Sequence, residues 1–113
     1  MSNDIEKPIH FMREYADAYA KAKADRVYLQ HFRKTKKALL MIEKENCGKK
    51  TTVSERENYA YAHLDYKELL EGLRVATEVE EKLALDFRAA ELAVEIWRTK
   101  QANERAERHG YGV

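Results

Sequence analysis

A single proline, Pro8, stands in the whole chain, so nothing after it forbids a helix. Glycine is almost as scarce, at four residues, and the only one between Gly48 and the C-terminal tail is Gly72. Cysteine occurs once, as Cys47, which excludes a disulfide framework within one chain and fits a reducing compartment. No apolar run approaches the ~18 residues needed to span a bilayer, and the first thirty residues carry no apolar leader core. The expectation is a soluble, cytoplasmic protein.

The signatures of common catalysts are missing as well. There is no glycine-rich phosphate loop, no Gly-x-Ser-x-Gly elbow and no dinucleotide fingerprint. The histidines His10, His31, His63 and His109 are scattered, and none pairs with Cys47 at metal-ligand spacing, so no zinc site is expected. Glu78, Glu80, Glu81, Glu91 and Glu95 could imitate a di-metal cluster, but the Glu-x-x-His step that such bundles use is absent. Neither an enzyme nor a cofactor is expected.

What the chain does hold is charge and helical periodicity: 36% of its residues are charged and 44% hydrophobic. From Asp65, with Glu68 three places on as a capping pair, apolar or aromatic residues recur at steps of three and four. They are Tyr66, Leu69, Leu73, Ala76, Leu83, Phe87, Ala90, Val94 and Trp97, and only Glu80 breaks the series. The pattern predicts a helix to about Glu107 with a continuous seam against partner helices, Glu80 setting register or oligomer state. A second long helix is expected from about Ile9 to Asn46, with Phe11, Met12, Tyr15, Tyr19, Ala22, Leu29, Phe32, Leu39 and Ile42 inward and Gly48 as a left-handed C-terminal cap. Between them, Ser54-Glu55-Arg56-Glu57 reads as a capping box that opens a short helix, Glu55 to Ala62. Residues 1–8 and 108–113 read as loose tails of a single helical domain. The resulting fold class is all-α: a long, coiled-coil-like antiparallel helical hairpin with a short connecting helix. A rod of roughly 40 residues, on the order of 60 Å, needs an equally long neighbour, so an oligomer is expected. Leu83, Phe87, Ala90, Val94 and Trp97 are its candidate oligomerisation residues.

The formal net charge is +1, but it is unevenly spread. Residues 21–50 hold ten Lys/Arg against three acids, and residues 51–107 hold eight against thirteen. Either a basic helix lies along an acidic one, or part of the basic surface faces a polyanion. Arg33, Lys34, Lys36 and Lys37 fall within two helical turns, with Arg33, Lys36 and Lys37 on one side; Lys44, Lys49 and Lys50 extend the ridge. Cations on phosphates release counterions and give affinity without sequence preference, and aromatic rings nearby can stack on unpaired bases. Tyr59 and Tyr61 are the leading aromatic candidates, with Tyr28 and His63 behind them. Packing onto the hairpin is the competing role for each tyrosine.

Four strings together resemble small bacteriophage proteins related to the UvsY-type recombination mediators. They are Phe32-Arg33-Lys34-Thr35-Lys36-Lys37-Ala38-Leu39-Leu40-Met41, Glu55-Arg56-Glu57-Asn58-Tyr59-Ala60-Tyr61-Ala62-His63, Tyr66-Lys67-Glu68-Leu69-Leu70-Glu71-Gly72-Leu73 and Glu95-Ile96-Trp97-Arg98. The resemblance covers roughly residues 25–107. It implies a helical oligomer that binds single-stranded DNA and helps a recombinase displace a single-strand-binding protein in a phage-infected bacterium. It assigns Arg33–Lys37 to the DNA backbone and Trp97-Arg98 to the helix used in assembly. The alternative from the residues themselves is a structural or protein-interaction bundle, such as a phage assembly factor or an inhibitor of a host protein, with no DNA binding.

Overall fold

Why this chain should be helical is plain from its composition, and the computed structural model, which describes residues 3–111, consists of three helices with no strand among the described residues. They are α1 (Asn3–Glu45), α2 (Val53–Ala62) and α3 (Leu64–Tyr111). The ends depart from expectation. Pro8 lies inside α1 rather than ahead of it, and α3 continues through residues 108–111. Pro8, five residues after the helix begins, gives up one backbone hydrogen bond and crowds the carbonyl of Asp4, a cost confined to the opening turns that leaves the helix beyond it unaffected. Met1, Ser2, Gly112 and Val113 lie outside the described residues, so the tail expectation is not addressed there.

Contacts gather into two compact units, Ala20–Glu80 and Met1–Tyr19 with Glu81–Val113. The first holds the second half of α1, the connection, α2 and the start of α3. α1 ends with Asn46 N–H donating to the Ile42 carbonyl (3.0 Å), and Gly48 adopts φ +86°, the left-handed conformation that its lack of a side chain permits. α2 is capped two residues earlier than Ser54 suggests. Thr52 is the N-cap, with its hydroxyl oxygen accepting from Glu55 N–H at 3.1 Å, so Thr-x-x-Glu rather than Ser-x-x-Glu carries the start. Arg56 then ties the preceding turn, donating to the Thr51 carbonyl at 2.7 Å.

α2 gives way to α3 across one residue. His63 has extended backbone angles and closes α2 by donating its N–H to the Ala60 carbonyl. The same residue opens α3: its carbonyl accepts from Lys67 N–H at 3.1 Å, and its Nδ1 accepts from Asp65 N–H at 3.0 Å. The cap expected of Asp65 thus belongs to His63, and Asp65 serves as the acid of the first turn. Around this joint lies the core of the unit, Leu40, Ala60 and Tyr66, with Met41 and Tyr59 packed against it. Full burial of a leucine such as Leu40 contributes about 1.5–3 kcal/mol. Further along, Leu29 approaches Gly72, and Arg26 forms a two-pronged pair with Glu80.

On α1 the buried and half-buried positions Ala22, Arg26, Leu29, Arg33, Lys36 and Leu40 recur at alternating steps of four and three. Leu39 and Ile42, expected inside, are about half exposed (52% and 50%) because Leu40 takes the inward position.

In the other unit the packing is aromatic. Phe87 of α3 is held between Phe11 (centroids 5.4 Å) and Tyr19 (4.9 Å) of α1, and Phe11 stacks on Tyr15 at 4.8 Å. Ala90 is buried one turn beyond Phe87.

Candidate nucleic-acid interface

Helical geometry decides which cations can act together. On α1, Lys37 falls between Arg33 and Lys34 in angle, being one turn from each, whereas Lys36 is rotated about 100° away from Lys37. Accordingly Arg33, Lys34 and Lys37 line one recess of about 380 Å³, closed on its other sides by Tyr61 of α2 and Tyr66 of α3. Tyr66 was not among the sequence candidates. Its buried ring meets Tyr61 edge-on at 5.4 Å, so the fixed tyrosine holds the exposed one in place. The Lys37 ammonium lies over the Tyr61 ring, 4.7 Å from its centroid. Hydrogen bonding to Tyr61 first, with the nearby Glu57 carboxylate adding to it, holds Lys37 above the usual lysine pKa.

The rest of the expected ridge is divided. Lys36, half-buried like Arg33 and Lys37, turns to Asp65 at 3.5 Å and does not line the recess. Lys44 lies over the ring of Tyr59 at 5.3 Å. Tyr59 itself packs on the Leu40 core and donates its hydroxyl to Glu43 at 3.1 Å. Burial, and then that hydrogen bond, raise the Tyr59 hydroxyl above its usual pKa. A ring so engaged is a packing element rather than a stacking platform. Lys49 and Lys50 are exposed in the connection after Gly48. Of the nine residues picked for DNA contact, four, Arg33, Lys34, Lys37 and Tyr61, come together in the recess.

The five residues picked for oligomerisation are directed inward. Leu83, Phe87, Val94 and Trp97 are half-buried, Ala90 is buried, and Phe87 is clasped by rings of its own chain. Trp97 Nε1 is buried with no acceptor among the described residues. What α3 leaves exposed in this unit is a different set, including Leu85 (65%), Leu92 (52%) and Ile96 (57%).

Chemically, the recess offers three positive side chains and a part-exposed aromatic ring. That combination suits an anion carrying an attached ring, and its size lies at the small end of ligand sites. No cluster of His, Cys, Asp and Glu able to hold a metal ion occurs among the described residues, and no described helix is long and apolar enough to cross a membrane. Comparison with known proteins gives no match to a family model, to a curated protein or to a solved structure.

Proposed function

We propose that this chain binds single-stranded DNA without sequence preference, as a homo-oligomer built from antiparallel helical hairpins. The observation that carries the reading is the recess in which Arg33, Lys34 and Lys37 meet the part-exposed ring of Tyr61, one face of which lies under the Lys37 ammonium. Phosphates would lie along the cations and an unpaired base against Tyr61; a duplex, whose bases are already stacked, gains only the first of these. Contacts within residues 20–80 support the hairpin: Arg26 pairs with Glu80, Leu29 approaches Gly72 and Lys36 pairs with Asp65, one number rising as the other falls. Repeating the recess over several copies multiplies weak phosphate contacts. The resemblance to phage recombination mediators adds a role in assisting recombinase loading on a single strand in the cytoplasm of an infected bacterium.

Fluorescence anisotropy with labelled single- and double-stranded oligonucleotides over a salt series tests this. Tighter binding to the single strand is expected, with a log–log salt slope of about −2 per chain from three cations. Lys34→Glu/Lys37→Glu should abolish binding with helicity unchanged. Full affinity in that variant, or no binding by the parent protein, overturns the reading.

A second reading is a structural or protein-interaction bundle. It is favoured by Lys36–Asp65 and Lys37–Glu57, where basic side chains of α1 meet acids of the chain itself. Under it the same double reversal lowers stability and DNA binding is absent throughout.

A further inference from the structure

We propose that two copies of this chain pair antiparallel along α3 through Leu85, Ala89, Leu92 and Ile96, with Arg88 of each copy facing Glu95 of the other. This deepens one half of the reading above, the expectation of several copies, and is independent of the nucleic-acid half.

These four residues recur at steps of four, three and four, and all are exposed. They lie on the side of α3 away from Phe87 and Ala90, which the chain has already covered for itself. Apolar side chains repeated at this spacing form the seam of a helix pair. An exposed apolar stripe rimmed by charge marks an interaction surface.

The flanking charges select both the occupant and its direction. An antiparallel pair with a two-fold axis between Ala89 and Leu92 places Leu85 opposite Ile96 and Ala89 opposite Leu92. In that register Arg88 comes opposite Glu95 of the second copy, and the symmetry repeats the pair. Along the other edge Asp86 meets Ala93, so no like charges oppose each other in the register. A parallel pair would instead set Glu81 against Asp86 of the second copy, two acids, twice, leaving its Glu95–Lys100 pairs only to offset that repulsion. Among the described residues Arg88 has no acidic partner within the chain, and Glu95 is held only by the exposed Arg98 at 3.3 Å. A recess of about 290 Å³ lined by Ala93, Ile96, Trp97 and Lys100 lies where Leu85 of the second copy would enter. Four layers bury less than the roughly 1,600 Å² of a standard interface, so a concentration-dependent dimer is expected.

Sedimentation equilibrium without nucleic acid, from the micromolar to the millimolar range, tests this. A monomer–dimer equilibrium is expected. Leu92→Asp should shift it toward monomer by about a hundredfold or more, since symmetry counts the change twice. Arg88→Glu and Glu95→Arg should each weaken it about three- to tenfold, and the double exchange should restore it. The exchange keeps the test valid if Leu92→Asp disturbs helicity. For direction, in a Cys47→Ser background, mixed Leu85→Cys and Ile96→Cys proteins should cross-link under a mild oxidant, with Leu85→Cys alone failing to do so. A monomer at all concentrations overturns the proposal. So does an unweakened dimer in Leu92→Asp or in either single charge variant, or self-cross-linking by Leu85→Cys.

Discussion

The Arg26 guanidinium grips the Glu80 carboxylate with two of its nitrogens, Nε donating to Oε2 and Nη2 to Oε1, at the one place where an acid interrupts the apolar stripe of α3. Glu80 is 8% exposed, and Arg26 is steadied by Gln30 at 2.8 Å. The interruption in the hydrophobic series is thus matched by a basic residue on the facing segment.

Removing one partner leaves the other charge in a largely apolar seam. Glu80→Ala should cost about 2–4 kcal/mol in urea unfolding, while Arg26→Met/Glu80→Leu should recover most of that loss or exceed the parent. If the pair fixes register, the double variant will be stable but will show broader amide resonances than the parent.

Gly72→Ala should stabilise the protein by about 1 kcal/mol in the same assay, because glycine is a poor residue inside a helix. A Cβ built there meets only Leu29 Cδ1, at 3.9 Å, an ordinary contact distance. Destabilisation would mean that Leu29 packs closer to α3 than described.

His63 caps α3 by accepting at Nδ1, which requires that nitrogen to carry no proton. His63→Ala should lose about 1 kcal/mol, and His63→Asn, which keeps a side-chain acceptor, should lose much less. Thermal unfolding followed by circular dichroism distinguishes the two, and equal losses would place the role of His63 in packing.

For the recess, the raised pKa of Lys37 sets the pH dependence. A lysine whose folded pKa lies above its unfolded value contributes fully below the unfolded value. That contribution is lost only as pH rises through the folded one. The raised folded pKa also keeps the ammonium charged through mildly basic pH, so its share of oligonucleotide affinity should stay level between about pH 7 and about pH 9. Tyr61→Ala should cost about 1–3 kcal/mol of single-strand affinity, and Tyr61→Phe much less. Anisotropy titrations at several pH values check both, and a fall between neutral and mildly basic pH would point to a group other than Lys37.

The stripe from Tyr66 to Trp97 was legible because every position in it, Glu80 included, is buried or half-buried in the structure. α1 was harder to read for a physical reason. Its inward positions include Arg26, Arg33 and Lys36, long side chains that lay their methylenes along the seam and reach acids or the recess with their ends. Hydropathy counts such residues as surface, so periodicity alone runs the inward face through Leu39 and Ile42 instead of Leu40. Thr52 and Ser54 each stand three residues before a glutamate, so spacing alone could not choose the cap. The joint at His63 has neither glycine nor proline to announce it. Periodicity places Tyr66 in the seam, and only the position of α2 shows that its ring also backs Tyr61.

That one-residue joint has a consequence for how the chain tolerates change. With no slack between α2 and α3, one amino acid inserted after His63 would turn everything downstream by about 100° relative to Tyr61, swinging Tyr66 out from behind it. Insertions of similar length among Asn46–Lys50, where an exposed turn can absorb them, should leave the tyrosines and cations in phase. The chain can lengthen on one side of α2 and not on the other.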